Sequence, residues 1–314
     1  MRRVGWLIAA LFGIAAVAPW LAPYDPEHHF GDFLFAPPMR PHIVADGSLH
    51  APYVRPVVLV ERLAQRFSED PSRMQPLPWF GGSHDMPVFL LGADSYGRDQ
   101  LSRLLVGTRA SLSLALVSVL GALSLGAVIG AVAGYRRGWL DDALMRTADF
   151  VIVLPVIYVV LVLRAMLPLV LEPGTIFVLM AGIFVLAGWP FVARGVRGIV
   201  AAERDREYVA AAQSIGAGTW RIVGRHLLPA CGTHLVVQGT LLLPAFVLAE
   251  ATLSFVGLGF PERLPTWGTM LHEAANVTVL TRFPWLLAPA AAIYLVVLAV
   301  NAATQSDKIS SRPA

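Results

Sequence analysis

The chain has 314 residues, of which 56% are hydrophobic and 14% charged, and its mean hydropathy is +0.63. A soluble domain carries about 25% charged residues, so the deficit excludes a wholly water-facing fold and points to membrane spans. The net charge of +3 rests on arginines lying in gaps between apolar stretches, which suits membrane orientation better than nucleic-acid binding, and a single cysteine, Cys231, excludes an intrachain disulfide or a cysteine-built zinc site.

In chain order, six apolar stretches stand out: 4–21, 112–133, 150–171, 175–192, 235–258 and 285–303. A bilayer core of about 30 Å is crossed by roughly 20 helical residues, and only a helix satisfies its own backbone there. The reading is therefore an all-α polytopic membrane protein with six transmembrane helices. The first stretch, within 1–23, follows Arg2 and Arg3. Ala16-Val17-Ala18 offers a signal-peptide cleavage site, but Pro19 disfavours cutting, so an uncleaved first helix is expected. Residues 24–105 are proline-rich and too polar to span; they form a periplasmic insertion between helices one and two, in which 57–67 reads as a strand or a short helix. Residues 106–305 hold the other five spans, and 306–314 form a tail.

Orientation follows from the basic residues of the short loops. Arg136, Arg137 and Arg146, the set Arg194 to Arg225, and Lys308 with Arg312 fall on the same side as Arg2 and Arg3. Both termini are expected in the cytoplasm.

The most informative polar segment is the inner loop, about 203–230. Val209, Ala212, Gly216, Trp220, Val223 and Leu227 recur at steps of three and four, the period of one helical face. Gly216 would turn that helix or admit a second backbone, and Pro229 ends the pattern. Short helices with small residues suit a partner's groove; a helix lying on membrane lipid is the other reading of the same periodicity.

Glu207-Tyr208-Val209-Ala210-Ala211-Ala212, then Gly216, then Leu228-Pro229 resembles the loop of permease subunits of binding-protein-dependent ABC importers. Ala210 stands where that family usually has Glu. The segment Leu91-Gly92-Ala93-Asp94-Ser95-Tyr96-Gly97-Arg98-Asp99 is similar to the dipeptide/oligopeptide/nickel subfamily, as are Gly134-Tyr135, Gly138-Trp139-Leu140-Asp141, Leu253-Ser254-Phe255-Val256-Gly257-Leu258-Gly259 and Pro265-Thr266-Trp267-Gly268. The resemblance runs from about 90 to 305. It implies a bacterial inner-membrane transport subunit, not an enzyme, whose inner loop couples to a cytoplasmic ABC ATPase. The implied partners are a second homologous permease, the ATPase subunits and an extracytoplasmic solute-binding protein. No Gly-x-x-x-x-Gly-Lys-Ser/Thr loop occurs, so this chain binds no cofactor, and ATP with magnesium belongs to the ATPases. Peptides are the expected cargo, with nickel or another small solute as the alternative, and a secondary transporter as a more distant one.

Within the spans, Glu250 is a candidate pathway residue, because a carboxylate in an apolar run is costly unless it faces protein or water; a structural bond explains it equally well. Asp149 is expected to cap a helix or pair with an arginine. Trp267 is a candidate gate, though interfacial anchoring is the commoner role of such a tryptophan. His28-His29, His84-Asp85 and His272-Glu273 lack a third ligand nearby and are read as chance pairs rather than metal sites.

Overall fold

The computed structural model describes residues 10–11, 13–45, 48–62, 64–77, 86–166 and 171–310. The start of the first apolar stretch, the pair His84-Asp85 and the end of the tail lie outside the described residues. By their contacts the described residues form two compact units, one built on Leu114–Glu250 and the stretch from Val297 to Ser310, the other on the described residues of 10–113 and Ala251–Val296.

Among the described residues, four helical segments are long and apolar enough to cross a membrane: α1 (Gln100–Arg136), α4 (Pro173–Glu203), α7 (Gly232–Phe255), and Pro284–Thr304, a 3-10 turn leading into α9 (Ala288–Ser310). They correspond to the second, fourth, fifth and sixth apolar stretches. The third stretch behaves differently. It starts inside α2 (Trp139–Val153), breaks at Leu154-Pro155, and resumes as α3 (Val156–Met166). The cause is local: a residue before proline is pushed from helical to extended backbone, and Leu154 has ψ 117°.

In the first unit, α1 and α4 approach closely. Gly126, Gly130 and Gly134 are spaced four apart, and a Cβ added at each would come closer than 3.0 Å to the carbonyl oxygen of Trp189, Ala193 or Arg197 respectively. Small residues on such a face let two backbones pack where lipid supplies no hydrophobic drive. On α2, Ala148 packs with Trp189 and Ala193 of α4. Two ion pairs run along the same contact. Arg197 grips Asp141 through Nε (3.0 Å to Oδ1) and Nη2 (2.5 Å to Oδ2), and Arg194 pairs with Asp149. Asp149 thus pairs with an arginine, one of the two roles expected for it.

In the second unit, the 24–105 segment is a small β-containing fold. Strands β1 (His42–Ala45), β2 (Ser48–Val54) and β5 (Gln75–Pro76) form one antiparallel sheet in the order β1-β2-β5. Strands β3 (Val57–Glu61) and β4 (Arg66–Glu69) form a separate hairpin, so 57–67 resolves as strands. A core of Tyr24, Phe30, Met39, Val54, Val57, Val88 and Phe89 lies beneath them. Tyr24 fixes this core at both ends: its amide donates to Ser102 Oγ (3.0 Å) and its hydroxyl accepts from the Val88 amide (2.7 Å). Gly97 has φ +73°, and its carbonyl accepts the Phe30 amide at 3.1 Å. A Cβ there would overlap the Phe30 carbonyl, which accounts for glycine at that position of the Gly-Arg-Asp motif.

Candidate functional site

The inner loop is a short helix, a glycine turn and a second helical run. Helix α5 (Glu207–Ser214) follows the extended Arg206. Gly216 has φ +82° with nothing within 4 Å of an added Cβ, so it serves as a turn and not as a close-approach point. Helix α6 (Thr219–Ile222) then passes through a π-helical turn, Val223–Leu227, into a last turn, Leu228–Ala230. Val209, Ala212, Ile222, Val223 and Leu227 point inward and are buried. Trp220, expected on that inner face, is instead 77% exposed, beside Ile215 at 86%. Glu207, Tyr208, Ala210, Ala211 and Pro229 also lie at the surface, and Leu228 is half-buried.

Arginines clamp the root of the loop. Arg137 Nη2 donates to the Ala201 carbonyl and to Asp205 Oδ2, both at 2.7 Å. Arg204 Nη1 donates to the Tyr135 carbonyl (2.7 Å), and the Tyr208 hydroxyl donates to Glu203 (2.9 Å). Arg137 and Arg204, read from sequence only as orientation signals, also tie the end of α4 to the end of α1. Among the described residues Glu207 has no ion pair, and Ala210 stands one turn further along α5.

In the second unit, sequence reasoning missed a buried charge cluster. Arg98 Nε donates to Asp94 Oδ2 (2.6 Å) and its Nη2 to Glu273 Oε1 (2.5 Å). Arg103 lies 3.5 Å from the same Asp94 oxygen and 3.4 Å from the same Glu273 oxygen. All four side chains are at most 8% exposed. Asp99 caps α1, its Oδ2 accepting from the Ser102 amide (2.8 Å) and hydroxyl (2.6 Å). Burial pushes the Asp99 carboxyl up to about 6 against the pull of those bonds. Burial, and then the Asp94 charge, push Glu273 up to about 7, opposed by the two guanidiniums.

Glu273 ends α8 (Trp267–Glu273), whose start is equally fixed. Thr266 and Thr269 form a capping box, the Trp267 amide donates to Ser111 Oγ (3.1 Å), and a Cβ on Gly268 would overlap the backbone of Ala251. Trp267 is 2% exposed. It therefore packs inside the protein and does not anchor at a lipid headgroup. Glu250 on α7 is fully buried.

With these features in place, the family described as "Binding-protein-dependent transport system inner membrane component" matches residues 126–306. The chain belongs to this family. It is 34% identical over 288 residues to the di/tripeptide transport system permease protein DppC of Pseudomonas aeruginosa, covering 91% of this chain and 79% of that one. It is 32% identical to the glutathione transport system permease protein GsiD of Pectobacterium atrosepticum, over 95% of this chain and 81% of that one. The oligopeptide transport system permease protein OppC of Bacillus subtilis is 36% identical over 67% of each chain. The chain is thus a multi-pass inner-membrane component of a transport system. The span matched by the family contains the inner loop, Glu250 and Trp267, and it excludes the segment from Asp94 to Arg103.

Proposed function

We propose that this chain is one of two permease subunits of an ATP-driven importer of peptides. Peptide cargo is supported by the named cargo of its relatives: di/tripeptides, oligopeptides and the tripeptide glutathione. A second homologous permease completes the pathway, an extracytoplasmic binding protein delivers solute, and ATP with magnesium is bound by cytoplasmic ATPases. Six helices cross the membrane, the two beyond the four long ones being the first apolar stretch and the proline-broken third. Both termini face the cytoplasm.

The observation that carries this reading is the inner loop. Its buried residues and arginine clamps hold a fixed shape, while Ile215 and Trp220 stand out from it without cover. Exposed large apolar side chains at the tip of an ordered polar loop suit insertion into a partner. Glu207, Tyr208, Ala210, Ala211, Ala212, Gly216, Leu228 and Pro229 form or support this coupling surface. ATP binding closes the ATPase pair and carries the loop with it, the spans shift as rigid bodies, and hydrolysis resets them. Glu250, buried in α7, and Trp267, buried at the start of α8, belong to the pathway or its outer closure.

The test is co-purification. Tagged wild-type chain, drawn from its native membrane in detergent, brings down ATPases and a second permease; Gly216→Asp, which strains the turn at the loop tip, keeps the second permease and loses the ATPases. Wild type recovered without any ATPase, or a variant that retains them, sinks the assignment.

A further inference from the structure

We propose that the free edge of β3 and the cleft beside it form a binding site for a short extended peptide with an apolar side chain and a free C-terminal carboxylate. The choice of occupant rests on the peptide-import reading above. The site itself lies apart from the spans, within the 24–105 segment.

The cleft holds about 490 Å³, within the range of small-molecule sites. Four consecutive residues, 56–59, line it, and among the described residues none of β4 does. Successive side chains of a strand point to opposite faces, so a run of consecutive lining residues means that the cleft follows the edge of the strand. The ladder fixes which edge. The Pro56 carbonyl accepts the Asp70 amide at 2.9 Å, and Val57, Val58 and Leu59 stand opposite Glu69, Ser68 and Phe67. Bonded positions alternate along an antiparallel pair, so Val58 turns its N–H and C=O to Ser68, while those of Val57 and Leu59 point away from β4. No other strand among the described residues pairs with that edge.

The edge is limited at both ends. Pro56 has no N–H to offer, and the register shifts between Leu59 and Glu61, an irregularity that ends regular pairing. About three residues remain, roughly 10 Å of strand. That length favours a di- or tripeptide over a strand of a partner protein, which ordinarily runs about five or six residues. Backbone pairing holds such a peptide whatever its side chains.

The walls supply the remaining chemistry. Phe33, Met86 and Pro87 complete the apolar lining. Phe33 is stacked on Phe67 at 6.4 Å and tilted against Phe89 at 5.6 Å, so that wall is preformed. Asp32, Arg62 and Arg73 make the charged lining, with one cation in excess. Both arginines are exposed and loosely held. Arg62 lies 3.8 Å from Asp32 and Arg73 3.6 Å from Asp70, and Asp70 already accepts the amide and hydroxyl of Ser72. Each guanidinium is therefore able to turn its paired N–H donors to a carboxylate at the end of a bound peptide.

Saturation-transfer NMR of the tripeptide Val-Leu-Phe with the full chain alone in lipid nanodiscs tests this, beside ATP-driven uptake of the same tripeptide by the assembled importer. The wild-type chain is expected to bind the tripeptide saturably. Its C-terminal amide, or the double variant Arg62→Gln with Arg73→Gln, is expected to weaken binding roughly three- to tenfold. Leu59→Pro, which removes an edge N–H and no bond to β4, is expected to weaken it at least as much. Absence of saturable binding to wild type overturns the site, and so does binding that the amide and the double variant leave unchanged. Uptake that persists in either case leaves the import reading standing, whereas absence of both uptake and binding overturns both. A wild-type chain that ignores the tripeptide yet captures the solute-binding protein through these arginines also overturns the site. The arginine arm decides the matter alone should Leu59→Pro fail to fold.

Discussion

Trp220 and Ile215 allow the coupling surface to be tested with little risk to the fold, because each touches so little of its own chain. Trp220 leaves 77% of its surface uncovered. A tryptophan carries about 150–250 Å² to bury, so full cover by a partner would remove roughly 150 Å² from water, an upper limit of about 4 kcal/mol. Ordering and imperfect packing reduce that figure, and truncation of a well-seated tryptophan typically costs about 2–3 kcal/mol, roughly 30- to 150-fold in affinity. Trp220→Ala should therefore weaken binding of the partner ATPase by that factor, and Ile215→Ala by roughly tenfold. The assay is equilibrium binding of purified ATPase to the permease pair in nanodiscs, with thermal unfolding as a control that should stay at the wild-type value. Unchanged affinity in both variants would refute the claim that these side chains are the anchors.

Three further outcomes follow from packing. Gly130→Leu puts a side chain where the α4 backbone passes, and overpacking of about 1–3 kcal/mol should lower the thermal midpoint of the solubilised chain, whereas Gly198→Leu, facing open space, should not. Arg197→Met leaves the buried Asp141 without its bidentate partner and should cost about 1–3 kcal/mol in thermal unfolding; adding Asp141→Asn should recover part of it, and a double variant no better than the single one argues against the pair. Gly97→Ala combines positive φ with overlap on the Phe30 carbonyl, so limited proteolysis should cut the 24–105 segment faster than in wild type.

Much of the helical frame was legible because span length and apolar composition are local properties. The limits of that signal are instructive. The apolar run of the second span starts at 112, yet α1 starts at Gln100, since Arg103 and the hydrophilic turn around it are buried by ion pairs that hydropathy does not register. Pro155 divided a run that composition alone made continuous. In the inner loop the spacing placed Val209, Ala212, Val223 and Leu227 inside, but a left-handed glycine divides the run into two helices, and Trp220, in the first turn of the second, faces outward. The charge cluster was out of reach for a different reason. Arg103 and Glu273 are 170 residues apart, and nothing local to His272-Glu273 tells that its carboxylate is buried on two arginines.

ATP-driven import of peptide can be followed as uptake of a radiolabelled dipeptide into proteoliposomes holding this chain, its partner permease and the ATPases, with ATP inside and the binding protein outside. Accumulation should require both ATP and binding protein and be lost with Trp220→Ala. Uptake by this chain alone, driven by a proton or sodium gradient without ATP, would contradict it.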